Sequence, residues 1–111
     1  MKLSSFAIQS NQSIKKAFKL LQKYGKKCLV VIDKDKKMLG TLTDGDIRNA
    51  ILKKNSISTK IEKIYNPDPK YLLQSNYTNS QALKLLMKHD IDLIPIVNKK
   101  KKIIDIVELS T

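Results

Sequence analysis

The chain is short of cysteine, histidine, glycine, proline and carboxylates, and it has no tryptophan. Each shortage excludes something. With Cys28 the only cysteine, no intrachain disulfide can form. With His89 the only histidine, no Cys/His metal framework can be assembled. Cys28 lies inside the apolar run "CLVVI", which predicts a buried thiol rather than a reactive one. No apolar run is long enough to cross a bilayer. The opening "MKLSSFAIQSNQS" lacks the apolar centre of a secretory signal. These absences point to a reducing cytoplasm and to no membrane partner. The few aromatics, Phe6, Phe18, Tyr24, Tyr65, Tyr71 and Tyr77, do not interleave with basic residues as a base-stacking platform would.

What is abundant is lysine. Twenty-two basic residues face 10 acidic ones, a net charge of +12, and Arg48 is the only arginine. That balance favours anionic partners: nucleotides, phosphosugars, nucleic acid or an acidic neighbouring domain. The lysines are scattered, however, and only Lys99–Lys102 form a block. A nucleic-acid partner is therefore not expected, and a basic nucleic-acid-binding domain stands as the weakest of three readings. With 111 residues, 41% of them hydrophobic, the chain can build one domain or two small repeats that share a core.

The second arrangement is written in the chain. Shifted by 65 residues, Ser13–Asp46 falls on Thr78–Thr111 without a gap. "SIKKAFKLLQKYG" meets "TNSQALKLLMKHD", and "KKCLVVIDKDKKMLG" meets "IDLIPIVNKKKKIID". Each unit opens on a hydroxyl cap, Ser13 or Thr78. A helix follows in each. Its apolar positions are Ile14, Ala17, Phe18 and Leu21 in one unit, and Ala82, Leu83, Leu85 and Leu86 in the other. Strands are predicted at Cys28–Ile32 and Leu93–Val97, then at Met38–Thr43 and Ile103–Val107, joined by the charged turns "DKDKK" and "NKKKK". A further helix is expected over Asp44–Lys54 in the first unit. The linker "NSISTKIEKIYNPDPK" holds Pro67 and Pro69, which block helix continuation, and "TKIEKIY" fits one helical turn with Ile61 and Ile64 inward.

The stretch "GTLTDGDIR", residues 40–48, sits between apolar runs and has a plain explanation. Thr43 with Asp46 three residues on is a capping box at a helix start. Asp44 and Asp46 stand too close in sequence for a separated acid–base pair, and two carboxylates are too few to predict a metal. His89 ends an amphipathic helix, where it serves the negative helix end. No catalytic residue and no metal ligand is expected.

Helix–strand–strand–helix, twice, resembles a tandem CBS-domain pair, or Bateman module. The resemblance rests on "LVVIDKDKKMLGTLTDGDIRNAIL" and "LMKHDIDLIPIVNKKKKIIDIV" and spans nearly the whole chain. It implies an α+β fold of two repeats, residues 1–66 and residues 67–111, packed by pseudo-twofold symmetry, the second truncated before its last helix. It implies a regulatory site for an adenosyl ligand, AMP, ADP or ATP in the first place, in a cleft between repeats. On the family pattern Asp46 addresses the ribose hydroxyls and Thr43 the ribose or phosphate. Gly40 and Gly45 permit close backbone approach, and the helix N-terminus with Arg48 or a lysine balances phosphate charge. The base is placed near Lys27, Cys28 and Leu29, with Ile8 at the mouth. The second unit departs from the pattern: Asp105 replaces Gly40, Glu108 replaces Thr43 and Thr111 replaces Asp46, so one site is expected. "TDGDIR" further resembles CBS repeats attached to arabinose-5-phosphate isomerases and sugar-phosphate nucleotidyltransferases. From it we expect an N-terminal fragment of a nucleotidyltransferase, with a catalytic domain downstream. A homodimer through the helix faces at Ile47–Leu52 and Leu83–Met87 is also expected. The alternative is a ligand-free structural pair that mediates dimerisation.

Overall fold

The computed structural model describes residues 3–109. Helix α1 (Ile14–Tyr24) begins where Ser13 Oγ accepts the Lys16 N–H at 3.1 Å, and it ends on Gly25 at φ +63°. Its counterpart α3 (Asn79–His89) begins on a capping box between Thr78 and Gln81 and ends on Asp90 at φ +50°. Gly25 and Asp90 are equivalent under the 65-residue shift, so both helices stop by the same left-handed turn. Ile14, Ala17 and Leu21 form the buried stripe of α1. Phe18 was expected to join them but is 49% exposed, because it stands on the flank of that stripe. Its equivalent, Leu83, is exposed for the same reason.

The four expected strands are present. β1 (Ala7–Gln9), β2 (Cys28–Ile32) and β3 (Met38–Thr43) form one sheet in that order. β4 (Leu72–Leu73), β5 (Leu93–Val97) and β6 (Ile103–Glu108) form the other. In each, the last two strands pair antiparallel with a bulge at the equivalent place, Val31/Ile32 or Ile96/Val97. The turns repeat as well. Asp33 Oδ1 accepts the N–H groups of Asp35 and Lys37, and Asn98 Oδ1 accepts those of Lys100 and Lys102. Lys36 and Lys101 both take left-handed conformations to close them.

The short strands β1 and β4 were not foreseen. Each adds parallel to the buried middle strand, and neither shows an alternation long enough to read. Here the repeat slips by one residue. Ala7 faces Val30, whereas its equivalent Leu72 faces Ile96. The gapless match therefore begins only at the helix caps.

The two units meet at their hairpin tips. The Met38 N–H donates to the Lys101 carbonyl at 2.8 Å, and the Ile103 N–H donates to the Lys36 carbonyl at 3.1 Å. These bonds exchange under the 65-residue shift, which is the signature of a pseudo-twofold axis. Around it Cys28, Ile32 and Met38 pack with their equivalents Leu93, Val97 and Ile103. The alternate residues of β2, Leu29 and Val31, pack instead with Ile14, Ala17 and Leu21. Burial on both faces explains why "CLVVI" is apolar throughout.

Helix α2 (Asp44–Leu52) ends two residues short of the expected Lys54. The linker makes a 3-10 turn at Ile61–Lys63, with Ile61 buried and Ile64 half-buried. It then crosses β3. The Thr41 N–H donates to the Asn66 carbonyl at 3.0 Å, and the Asn66 N–H donates back to the Thr41 carbonyl at 2.8 Å.

Candidate functional site

A cleft of about 360 Å³ opens between the two units. Its floor is the end of the first hairpin. Cys28 pairs with Thr43 and Val30 with Thr41, so Thr41 and Thr43 rise from the same face of β3. The start of α2 supplies Asp46. The linker supplies Asn66, Asp68, Pro69 and Lys70, and the end of α3 with the following turn supplies His89–Leu93.

The start of α2 is internally satisfied. Thr43 Oγ1 accepts the Asp46 N–H at 3.0 Å, and Asp46 Oδ2 accepts the Thr43 N–H at 2.9 Å, the reciprocal bonds of a capping box. Asp44 Oδ1 accepts the Gly45 N–H at 3.0 Å, and the Asp44 N–H donates to the Lys27 carbonyl at 3.1 Å. The other carboxylate oxygen of Asp46, Oδ1, accepts no hydrogen bond among the described residues and remains open to a donor. Thr41 is buried, yet its hydroxyl makes no hydrogen bond among the described residues. Among the described residues no fully buried side-chain oxygen lacks a partner, so this hydroxyl keeps some exposure, and Thr41 lines the cleft. In the second unit Ile106 stands in its place and joins the shared core.

Of the nine residues singled out from sequence, Thr43, Asp46 and Cys28 line this cleft. The other six, Leu29 among them, lie elsewhere. Ile8 belongs to β1, across β2 from the cleft strand, and is buried with Leu29 and Val31. Lys27 meets α2 only through its carbonyl, and its side chain is exposed. The Arg48 guanidinium reaches Asp44 at 3.3 Å on the open side of α2, 71% exposed. A Cβ on Gly40 would lie 2.0 Å from the Asn66 carbonyl oxygen, so this glycine admits the linker. At Gly45 the nearest atom to a Cβ is Thr43 Oγ1 at 3.6 Å, an ordinary contact.

The linker residues and His89–Asp92 escaped the sequence reading. A signal for them existed: His89–Leu93 aligns with Tyr24–Cys28 under the repeat, and a twofold axis brings each unit's turn to the other's hairpin. At the symmetry-related place the arrangement differs. Lys26, equivalent to Ile91, forms an ion pair with Glu108, equivalent to Thr43, and ties the units together there. Thr111, at the place of Asp46, lies outside the described residues.

The thiol of Cys28 is pushed up to about 12, first by burial and then by the charges of Asp92 and Asp46. At pH 8 it should react with thiol reagents far more slowly than in the unfolded chain, by roughly a thousandfold in thiolate fraction. The sign for stability follows. The folded thiol keeps its proton between about pH 9 and 12, where the unfolded thiol gives it up. Stability from this group is therefore constant below pH 9 and falls as pH rises above it. Labelling rates in native and denaturing buffer check this; equal rates would contradict the burial. No group of three His, Cys, Asp or Glu among the described residues is arranged to hold a metal. Among the same residues, no helix is long and apolar enough to cross a membrane.

The CBS-domain family model matches residues 1–53, just under half of the chain. Inosine-5′-monophosphate dehydrogenase of Aquifex aeolicus is 24% identical over 103 residues, which is 93% of this chain and 21% of that protein. The chain spans about a fifth to a quarter of the length of the curated relatives it matches. Among solved structures, the CBS-domain pair of protein MJ0100, in complex with 5′-methylthioadenosine and S-adenosyl-L-methionine, superposes with a TM-score of 0.79. It is 24% identical, with 93% of this chain and 80% of that one covered. CBSX2 in complex with AMP superposes with a TM-score of 0.77 at 21% identity, covering 92% and 79%. Two three-stranded sheets with their helices, mixed α+β, are thus the fold of CBS-domain structures.

Proposed function

We propose that this chain is a regulatory CBS-domain pair, repeats 1–66 and 67–111, that binds an adenine nucleotide or related adenosyl ligand in the inter-repeat cleft. The observation that carries the reading is Asp46. One oxygen is spent on the Thr43 N–H, the other accepts no hydrogen bond among the described residues, and Asp46 lines a cleft to which both units contribute. There it accepts ribose hydroxyls, as a carboxylate with free lone pairs does. Thr43 and Thr41 offer hydroxyls beside it, and Cys28, Ile91 and Leu93 offer an apolar wall for the base. The ligands named for the MJ0100 and CBSX2 structures support the ligand class.

Thermal unfolding in the presence of AMP, ADP, ATP, GTP and S-adenosylmethionine tests the reading. An adenine compound at a hundred times its Kd should stabilise the fold by about 2.7 kcal/mol. GTP should do less. If none of them shifts the transition at millimolar concentration, the chain is a scaffold and Thr43–Asp46 is a capping box alone.

On the resemblance of "TDGDIR", the regulated partner is a catalytic domain of the same protein, a sugar-phosphate nucleotidyltransferase. The pair further acts as a homodimer. Ile51, Leu52, Leu83 and Met87 are exposed and available for it, whereas Ile47 of the expected face is buried in the core. Apolar exposure of this kind marks association surfaces. Light scattering at high micromolar concentration should give twice the mass of 12.7 kDa; a monomer there would end the proposal.

A further inference from the structure

We infer that this cleft selects its ligand by charge: it takes an adenine nucleoside whose 5′ substituent is neutral or cationic and discriminates against di- and triphosphates. The inference rests on the adenosyl reading above and deepens it. Two independent observations carry it.

The first is the state of the α2 N-terminus. A helix start binds phosphate when its free N–H groups point at the ligand. Here the N–H groups of Thr43, Asp44, Gly45 and Asp46 already donate to Asp46, Lys27, Asp44 and Thr43. Two carboxylates stand in that first turn, and they consume the positive helix end that phosphate would need. Arg48, the only arginine, is held by Asp44 and does not line the cleft.

The second is the lining. In a chain with a surplus of twelve positive charges, the cleft gathers Asp46, Asp68, Asp90 and Asp92 against Lys70 and His89. The field of Asp92, Asp46 and Asp44 reaches Cys28 on the cleft floor. An anionic tail placed here meets repulsion, while a sulfonium or ammonium meets attraction. Thr41, a buried residue that lines the cleft and whose hydroxyl has no hydrogen-bond partner among the described residues, offers a polar group there; Ile106 fills the same place in the other unit. The Thr41 hydroxyl gives a neutral ligand a hydrogen-bond donor, which ionised carboxylates lack.

Titration calorimetry of the full chain at low ionic strength, without divalent cations, tests the inference with four probes: 5′-methylthioadenosine, S-adenosylmethionine, AMP and ATP. The first two should bind at least about tenfold more tightly than ATP, with AMP between. Asp68 and Asp92 are exposed, so the double variant Asp68→Asn, Asp92→Asn should fold normally. It should narrow that gap by roughly tenfold, and so should raising the salt. ATP binding most tightly, or a gap that the double variant leaves unchanged, would overturn the inference and leave the adenosyl reading standing. Binding by none of the four would overturn both.

Discussion

Asp46→Ala should weaken binding of an adenine ligand by about ten- to a hundredfold and, at the same time, destabilise the fold by about 1 kcal/mol. The two effects come from the two oxygens of one carboxylate. Oδ2 accepts the Thr43 N–H and completes the capping box of α2. Oδ1 accepts no hydrogen bond among the described residues, and on the proposed reading it takes the ribose hydroxyls. Charge-assisted hydrogen bonds of the second kind contribute about 1.5–3 kcal/mol each, and loss of a cap costs about 1. Asp46→Asn separates them. Its amide oxygen can still accept from Thr43, so stability should be nearly retained, while the lost charge weakens the ribose contact. Calorimetry and chemical denaturation on the two variants decide. If both leave ligand binding untouched while Asp46→Ala lowers stability, Asp46 is a helix cap and nothing more.

Gly40→Ala should be the more damaging of two superficially similar changes. A Cβ there would stand 2.0 Å from the Asn66 carbonyl oxygen, 2.6 Å from Tyr65 Cδ1 and 2.9 Å from the Asn66 carbonyl carbon. The linker cannot step aside cheaply, because Asn66 exchanges two backbone hydrogen bonds with Thr41. Overpacking of this kind costs about 1–3 kcal/mol, and loss of the backbone pair adds to it. A fall in Tm of about 10 °C or more is expected. Asn66, Asp68, Pro69 and Lys70 move with the linker, so the ligand should be lost as well. Gly45→Ala is the control. Its Cβ meets Thr43 Oγ1 at 3.6 Å and Arg48 Nη2 at 3.8 Å, ordinary contacts in a helix that favours alanine. Stability should change by less than about 0.5 kcal/mol. Equal denaturation midpoints for Gly40→Ala and the unaltered chain would refute the close-approach argument.

The two glycines show where sequence reasoning stops. Both looked like places for close backbone approach to a ligand. Nothing local distinguishes them, because what fills the space beside Gly40 comes from elsewhere in the chain, while Gly45 meets only its near neighbours Thr43 and Arg48. At Gly40 it is the linker, 26 residues further on. The same limit applies to Arg48. Its charge was legible, but its direction was set by Asp44 one turn away on the open face of α2. Ile8 could not be placed from sequence, because the three-residue strand that carries it lacks any readable period, and the strand joins the edge opposite β3.

Local chemistry was legible. Ser13, Thr43 and Thr78 cap the helices they were expected to cap, because a cap is a bond between residues three apart. The buried strands follow from uninterrupted apolar runs, and the two-unit plan follows from a 65-residue repeat that extends even to the left-handed turns at Lys36 and Lys101. By itself, then, the sequence determined the helices, the four longer strands, their order and their duplication, since these depend on neighbours along the chain, whereas β1 and β4 came only with the sheets. Only the tertiary structure decided which residues face the cleft. A twofold axis sets the His89–Asp92 turn of one unit against the Thr43–Asp46 start of the other, and at the related place it brings Lys26 to Glu108. Those encounters join residues more than 40 positions apart, and their energies arise only once the shared core has closed.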